Sequence, residues 1–371
     1  MTVLDTALPA RRRETPRHLV TRPTVSVIVP CYNYADYVAA AIGSALTQTG
    51  VEVDVIVVDD ASTDDSAAIV AELARRDPRV RLLRHALNAG PVDTFNDGLA
   101  LARGDYLVRL DADDLLTPGS LERSTALAET HPSVGLVYGH PLHFSGPTPP
   151  KARETPRRWT IWQGRTWLRE RCRTGVNVIT SPEVLMRRSV VDVVGGQRPL
   201  PHTHDMEMWL RIAAVSDVAY IEGADQAWHR EHARSLSQSI DASTGDLRDR
   251  RDAFETLFAW SDGRVVGTAE LRQLADRALA DEARTRITHM YDHGKVDAER
   301  AAQLRALAEE WGADSRAGAA EIARVRAEAR GAGAAPRPWQ LARAAGRRLA
   351  NEIRIRRWHR HGVFHSDAGQ Q

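Results

Sequence analysis

Short, predominantly apolar segments, two of which end at acidic residues, constrain the fold of this chain more than any other feature. Val25 to Val29, Val53 to Val58 and Tyr106 to Leu110 are such segments, and aspartates directly follow the last two. Helix-like segments alternate with them at residues 34–49, 64–76 and 92–102. Continuous apolar strands are typical of a mostly parallel sheet with helices on both faces. We therefore expect an α/β fold whose ligands bind beyond the carboxyl ends of the strands, where the polar residues cluster.

The 371-residue chain is long enough for one large domain with additions. Residues 1–23 are rich in Arg and Pro and predict a flexible basic arm, and residues 24–240 predict the α/β domain. Residues 241–330 are rich in Ala, Arg, Glu and Leu, which is typical of packed helices. Residues 331–371 predict a linker followed by a basic amphipathic helix.

The formal net charge of +1 conceals an uneven distribution along the chain. Residues 1–23 carry +3, residues 24–335 carry −8, and residues 336–371 carry +6. This balance argues against a protein that coats nucleic acid. Only two cysteines are present, Cys31 and Cys172, which excludes a disulfide scaffold and a cysteine-built zinc site. No apolar run reaches the ~20 residues that a membrane span requires, so we expect a cytoplasmic protein.

The first candidate site is the acidic segment at residues 57–64, where Asp59 and Asp60 precede Ser62 and Thr63. A carboxylate at a strand end can accept hydrogen bonds from a base or ribose, while the next helix N-terminus faces phosphate. Ser, Thr and Asp are also the favoured helix caps. For this segment alone, capping is the better explanation.

The second candidate is the acidic cluster Asp111, Asp113 and Asp114. Three carboxylates within four residues repel one another unless a cation neutralises them. Carboxylates at a strand end can hold Mg²⁺ or Mn²⁺ while substrate phosphates complete the coordination. Because the cluster follows an apolar strand, we favour a metal site over a solvated acidic turn.

Two later segments also carry suitable chemistry. Asp205 precedes an apolar helical stripe and, taken alone, is best explained as a helix cap. Residues 229–237 combine basic and hydroxyl side chains, which suit either a diphosphate clamp or a solvated loop. The residues themselves leave that second choice open.

Taken in order, these segments resemble the family 2 glycosyltransferases, which have the GT-A fold. The resemblance covers roughly residues 24–238. The matching elements are residues 25–33, 57–64, 104–114, 204–212 and 229–237, with Asn88, Gly90, Asn96, Gly195 and Gly196 between them.

The resemblance implies roles for individual residues on the donor side of the site. The segment after the first strand packs on the nucleotide base in that family, which points to Pro30 and Tyr32. The acidic residue that contacts the base is Asp60, with Ser62 nearby, and Asn88 belongs to the same nucleotide-binding set.

The resemblance also implies the chemistry of transfer. Asp111 and Asp113 hold Mn²⁺ or Mg²⁺ and the donor pyrophosphate, Asp205 is the general base, and Arg230 and His232 lie near the diphosphate. A sugar hydroxyl needs a carboxylate base at neutral pH. One base opposite the leaving group gives direct displacement with inversion, by the geometric logic of inverting glycosidases.

The sequence departs from the family pattern at four positions. Ala61 stands where the family usually has Gly, Phe95 where Arg is common, Gln197 where Phe usually follows the Gly pair, and His204 where Glu is common. The Gln-x-x-Arg-Trp signature and membrane helices of processive synthases are missing, which favours a single-addition transferase.

The overall expectation is an inverting transferase that uses a nucleotide-diphosphate sugar in polysaccharide, glycolipid or other glycoconjugate synthesis. UDP is favoured as the nucleotide, with dTDP and GDP open, and the acceptor is a saccharide or a lipid-linked saccharide. A nucleotidyltransferase is one alternative, although the basic Gly-rich loop that it normally has after the first strand is missing. A catalytically inactive nucleotide-sugar-binding protein is the other.

The C-terminal basic helix has two interpretations. Ala342, Ala345, Leu349 and Ile353 fall on one helical face among several arginines. Such a helix suits peripheral contact with the anionic inner face of the cell membrane. A helix packed on the domain with its arginines in solvent is the somewhat better explanation.

Overall fold

The computed structural model describes residues 11–232, 244–312, 319–331 and 338–361. Within this part of the chain, ten strands form one sheet. The strands are β1 (Arg11–Glu14), β2 (Thr24–Cys31), β3 (Glu52–Asp59), β4 (Val80–Arg84), β5 (Tyr106–Arg109), β6 (Leu115–Leu116), β7 (Val134–Phe144), β8 (Arg158–Trp162), β9 (Leu185–Arg187) and β10 (Asp217–Arg230).

Helices follow most of the strands. They are α1 (Val38–Leu46), α2 (Ser66–Arg76), α3 (Pro91–Leu101), α4 (Ser120–Thr130), α5 (Gly164–Thr174), α6 (Arg188–Val194) and α7 (His204–Val215), then α8 (Gly245–Ser261), α9 (Thr268–Asp292), α10 (Ala298–Trp311), α11 (Ala319–Glu328) and α12 (Pro338–His361). None of the described helices is long and apolar enough to span a membrane.

The sheet has the strand order β1-β8-β10-β7-β9-β5-β2-β3-β4, with β6 paired to β10. Strands β5, β2, β3 and β4 run parallel, as the continuous apolar segments predicted. β7 and β10 form a second parallel pair, and the short β9 joins the two groups in antiparallel orientation. The α/β expectation is confirmed, and the carboxyl ends of β2, β3 and β5 meet at one edge.

The helical region packs directly on the sheet domain. Trp209 of α7, Phe254 of α8, Leu279 of α9 and Leu304 of α10 are all buried in one apolar cluster with Ile28 of the sheet. Burying these side chains stabilises the molecule by about 1.5–3 kcal/mol each. Helices α8, α9 and α10 therefore share a core with the sheet.

Four residues of the expected flexible arm have regular structure. Arg11–Glu14 form β1, which pairs antiparallel with β8 at the outer edge of the sheet. The expectation of an arm without structure is wrong for these residues, because backbone pairing with an edge strand needs no apolar pattern. Residues 1–10 lie outside the described residues, as do residues 332–337 of the linker and residues 362–371.

Three local features modify the sheet. Strand β9 is short, because the buried carboxylate of Glu183 accepts hydrogen bonds from the amides of Thr180 and Ser181 and forms a turn before it. Strand β10 is long and continues to Arg230, so that β6, β7 and β8 pair with different parts of it. Pro141 lies inside β7, opposite a register shift in β10 between Asp225 and Ala227.

Candidate active site

A cavity of about 440 Å³ lies at the carboxyl ends of β2, β3 and β5. The parallel register brings these ends together, with Cys31 opposite Asp59 and Ile28 opposite Arg109. Most of the expected site residues line the cavity: Pro30, Tyr32, Asp60, Asn88, Asp111, Asp113 and Asp205. Ser62, Arg230 and His232 are not among its lining residues.

Ser62 joins the loops that follow β2 and β3. Its hydroxyl accepts a hydrogen bond from the amide of Asn33 at 3.0 Å, and the Asn33 side chain accepts one from the amide of Thr63 at 2.8 Å. This cross-link accounts for the position of Ser62 outside the cavity lining. The structure places Ser62 between these two loops, and its expected position near the nucleotide stays a prediction.

Ala61 occupies a backbone conformation that favours glycine. Its φ of 59° lies in the left-handed region, which costs a residue with a Cβ roughly 1–2 kcal/mol. This explains why the family usually has Gly at the position. The tight turn lets the chain reverse directly after Asp60.

Asp60 is buried, and its carboxylate accepts hydrogen bonds from a neighbouring loop of the same chain. Its two carboxylate oxygens accept hydrogen bonds from the amides of Ala89 at 2.7 Å and Gly90 at 2.9 Å, and His85 lies 2.8 Å from Oδ1. Burial opposes the charge, but these bonds outweigh it and lower the pKa of Asp60 below its usual value. Asp60 thus holds the loop of Asn88 against the cavity. Capping does not explain it, since Asp65 holds the N-cap position of α2.

Asp111 and Asp113 present two carboxylates to the same cavity. Asp111 accepts hydrogen bonds from the guanidinium of Arg109 at 2.9 and 3.0 Å. Asp113 is buried, with Oδ2 2.8 Å from Nε2 of His232. Burial, reinforced by Asp111, raises the pKa of Asp113. A cation in the cavity would relieve both effects.

The donor set of the cavity fits a divalent metal ion. Carboxylate oxygens are ligands that Mg²⁺ and Mn²⁺ accept, commonly with one or two carboxylates and substrate phosphates. Among the described residues, no three His, Cys, Asp or Glu side chains are arranged to hold an ion by themselves. The pair Asp111 and Asp113 would therefore hold an ion together with oxygens of a bound ligand.

Arg230 stabilises the acidic loop at Asp113 and Asp114 by hydrogen bonds. Its amide donates to Asp114 at 2.8 Å, and its guanidinium donates to the carbonyls of Asp113 at 3.0 Å and Gly146 at 2.8 Å. The guanidinium also packs over the rings of Tyr37 and Phe144. The structure therefore does not bring Arg230 to the cavity, because its donors and its ring contacts are used inside the protein.

His229 and His232 reach the acidic loop from the end of β10. His232 stacks on Tyr37 and bonds to Asp113, and His229, which lines the cavity, lies 3.1 Å from Asp114. Burial opposes a charge on His229, but the bond to Asp114 outweighs it and raises the pKa of His229 to about 9. Residues 233–237 of the expected diphosphate segment lie outside the described residues.

Asp205 lies in the first turn of α7 and lines the cavity. Burial raises its pKa to about 6, although Arg109 and the amide of Met206 act in the opposite direction. Thr203, not Asp205, holds the N-cap position of α7. A carboxylate with this pKa is ionised at neutral pH and remains basic enough to accept a proton.

A buried ion pair fixes α7 to the preceding loop. Arg211 and Glu207 are fully buried and 2.7 Å apart, and Arg211 also donates to the carbonyls of Gly195 and Gly196. The loop is in turn bonded to α3, where the side chain of Asn96 pairs with the backbone of Gln197. Asp205 is therefore held by rigid elements.

The sequence interpretation missed Arg109. This residue is buried at the cavity, donates to Asp111 and to Oε1 of Gln197, and lies over the ring of Phe95. Its guanidinium therefore packs on Phe95, the position at which the family commonly has an Arg. The signal that could have identified it is a charged residue inside the apolar segment 106–110.

Comparisons with known proteins identify the family and the fold of the chain. The model of a family described as "Glycosyl transferase family 2" matches residues 26–195. An uncharacterized protein of Mycobacterium tuberculosis is 30% identical over 249 residues, which cover 62% of this chain and 74% of that protein. A succinoglycan biosynthesis protein of Rhizobium meliloti is 45% identical over 107 residues, but these cover only 29% of this chain and 30% of that protein.

Solved structures show the same fold. The crystal structure of Staphylococcus aureus TarS 1–349 in complex with UDP-GlcNAc has a TM-score of 0.57 to this chain at 19% identity. The likeness covers 78% of this chain and 80% of TarS 1–349. The expected GT-A fold is confirmed.

Proposed function

Because the chain belongs to glycosyl transferase family 2, we propose that it transfers a sugar from a nucleotide-diphosphate donor to an acceptor hydroxyl. The observation that carries the proposal is a single cavity that joins the ends of three parallel strands to the carboxylate of Asp205. The succinoglycan biosynthesis relative supports a role in polysaccharide or other glycoconjugate synthesis. The acceptor is a saccharide or a lipid-linked saccharide.

The nucleotide binds at the loops after β2 and β3. Tyr32 lines the cavity with 45% of its surface exposed, and so offers an aromatic face for a base. Pro30, Asp60 and Asn88 line the same cavity. UDP is our first candidate, and the UDP-GlcNAc of the TarS complex is the first donor to test.

Asp111 and Asp113 would hold Mn²⁺ or Mg²⁺ together with oxygens of the donor pyrophosphate. A bound ion would supply positive charge to the departing nucleoside diphosphate. Arg109 keeps Asp111 oriented, and His232 does the same for Asp113. The repulsion between the two carboxylates is the feature of this site that favours cation binding.

Asp205 is the general base. Its ionised carboxylate accepts the proton of the acceptor hydroxyl as that oxygen attacks the anomeric carbon. The bond to the nucleotide breaks in the same step, and the nucleoside diphosphate leaves from the opposite face of the sugar. One displacement of this kind inverts the anomeric configuration.

A donor panel tests the proposal. UDP, GDP and dTDP, each with and without Mn²⁺, are screened first by thermal shift, because a ligand that binds only the native state raises the melting temperature. The corresponding sugar donors are then assayed for release of nucleoside diphosphate. We expect UDP with Mn²⁺ to give the largest shift and a UDP-sugar to be turned over.

Other outcomes identify the alternatives. A thermal shift without turnover of any donor, with or without saccharide acceptors, would identify a binding protein without catalysis. Release of pyrophosphate from a nucleoside triphosphate and a sugar phosphate would identify a nucleotidyltransferase. The absence of any shift with all nucleotides would contradict the proposal.

The C-terminal helix is the second surface of functional interest. Leu349 and Ile353 are exposed one turn apart on α12, next to the exposed Arg348 and Arg356. We propose that this helix contacts anionic lipid, where apolar side chains enter the interface and arginines meet the headgroups. The side chains of Trp339 and Trp358 are outside the described residues.

Co-sedimentation with liposomes tests this contact. The full chain and a chain without residues 336–371 are compared on anionic and on neutral vesicles. We expect only the full chain to sediment, and only with anionic vesicles. Equal binding by the two chains would contradict the proposal.

A further inference from the structure

His204 stands next to the proposed base, and neither the nucleotide nor the metal proposal gives it a role. It is the first residue of α7, its side chain is 3% exposed, and it lines the cavity with Asp205. The family commonly has a glutamate at this position. An imidazole therefore replaces a carboxylate beside the reacting groups.

The hydrogen bond of the ring at Nδ1 defines its tautomer. Nδ1 lies 3.3 Å from the carbonyl oxygen of Leu200. Because a carbonyl oxygen can only accept, Nδ1 carries the hydrogen. In a neutral imidazole, Nε2 then has a lone pair and can accept a hydrogen bond.

The surroundings keep the ring neutral. Burial, reinforced by the nearby guanidinium of Arg109, lowers the pKa of His204 to about 3. A protonated ring would also place a second positive charge beside Arg109. At any pH at which an enzyme of this kind works, Nε2 is an acceptor and not a donor.

Nε2 has no partner among the described residues, since the only hydrogen bond of the ring is the one at Nδ1. Nε2 is also not one of the described polar atoms that are fully buried without a hydrogen-bond partner, so it is accessible to solvent. The atom therefore faces the cavity.

We propose that Nε2 of His204 accepts a hydrogen bond from a hydroxyl group of the saccharide that binds against Asp205. This inference rests on the proposed function and specifies how the sugar is oriented for it. A neutral acceptor selects a hydroxyl and repels phosphate or carboxylate oxygens, which also lack a hydrogen. It also leaves Arg109 paired with Asp111, whereas a glutamate would compete for that guanidinium.

The hydroxyl belongs either to the donor sugar or to the acceptor, and the chemistry is the same. His204→Phe keeps a ring of similar size but removes the acceptor atom. His204→Gln retains an acceptor through its side-chain carbonyl. His293→Phe, at an exposed position at the end of α9, is the matched control.

The experiment measures kcat/KM for transfer and for donor hydrolysis without acceptor, and the Kd of UDP with Mn²⁺. We expect His204→Phe to lower kcat/KM for transfer about 10- to 100-fold, the loss expected for a buried hydroxyl left unpaired. UDP binding stays within about twofold, because the nucleotide contacts lie elsewhere. His204→Gln and His293→Phe are expected to retain most of the activity.

Deoxy substrates distinguish a contact from a structural effect. One deoxy analogue is expected to reduce the wild-type rate as much as His204→Phe does, and to cause no further loss in that variant. A deoxy donor with this behaviour, together with slowed donor hydrolysis, places the hydroxyl on the donor. A deoxy acceptor with this behaviour and unchanged hydrolysis places it on the acceptor.

Two failures remain distinguishable. If wild type turns over no donor, the proposed function fails. If wild type is active but no deoxy analogue shows reduced loss in His204→Phe, the inference about His204 is wrong. Unchanged transfer by His204→Phe would overturn it as well.

Discussion

Replacing the proposed base with its amide separates catalysis from binding. Asp205→Asn keeps the size of the side chain, and its carbonyl oxygen can still accept the hydrogen bond from the amide of Met206. It removes the group that accepts the proton. General-base catalysis contributes typically 10²- to 10⁴-fold, so we expect kcat for transfer to fall by about that factor while donor affinity is kept.

The same substitution has a predictable effect on stability. Burial raises the pKa of Asp205 from its usual value near 3.8 to about 6, so ionisation in the native state costs roughly 3 kcal/mol. This cost is absent below pH about 4, where the carboxyl is protonated in both states, and complete above pH about 6. Asp205→Asn is therefore expected to be more stable than wild type at pH 8, by up to ~3 kcal/mol, and equally stable near pH 4.

Three measurements check this prediction. Transfer rates at saturating donor give the loss in kcat, titration with UDP and Mn²⁺ gives the affinity, and urea denaturation at two pH values gives the stability. Asp192→Asn, at an exposed carboxylate on α6, is the matched control. Near-normal transfer by a folded Asp205→Asn would refute the assignment. A wild-type kcat that does not rise as pH increases through about 6 would also count against it.

Three further perturbations follow from the structure. Asp60→Asn loses the charged acceptor for the backbone amide of Ala89 or of Gly90. We therefore expect the free energy of unfolding from urea denaturation to fall by about 1–3 kcal/mol and UDP binding to weaken; an unchanged midpoint would contradict this. EDTA is expected to abolish transfer and Mn²⁺ or Mg²⁺ to restore it, with Asp113→Asn needing roughly tenfold more metal for half-maximal rate; EDTA-resistant transfer would argue against the metal site. In Asp225 burial raises the pKa, but hydrogen bonds from His140 and Arg153 outweigh it and lower the pKa overall, so the stabilisation is present above pH about 4 and lost on acidification. Asp225→Asn should therefore destabilise the protein by about 2–3 kcal/mol at pH 7 and by much less near pH 2, and an equal effect at both would be inconsistent with this ion pair.

The parallel core of the fold could be predicted because its signal is local. Continuous apolar strands such as Val25–Val29 are buried on both faces, and strand ends of a parallel sheet meet at one edge, so the acidic residues after them had to converge. The short antiparallel strands could not be predicted in this way. β1 and β9 are held by backbone pairing to distant partners, and Pro141 interrupts a pattern that the register shift in β10 tolerates.

For the candidate site, the residue types predicted which residues line the cavity better than they predicted where each side chain points. Asp111, Asp113 and Asp205 reach the cavity because strand ends and a helix N-terminus point there. Arg230 has the chemistry of a phosphate ligand, but its guanidinium donates to the backbone carbonyls of Asp113 and Gly146. Which side of a loop a long side chain takes depends on tertiary contacts that no local pattern encodes.

The most direct test of the central claim is the anomeric configuration of the product. Proton NMR of the glycoside formed from a donor of known α configuration reports the configuration of the new bond, because a glycosidic bond does not mutarotate. Direct displacement with Asp205 as the single base predicts a β-linked product. An α-linked product would require two displacements or a different geometry, and would contradict the account.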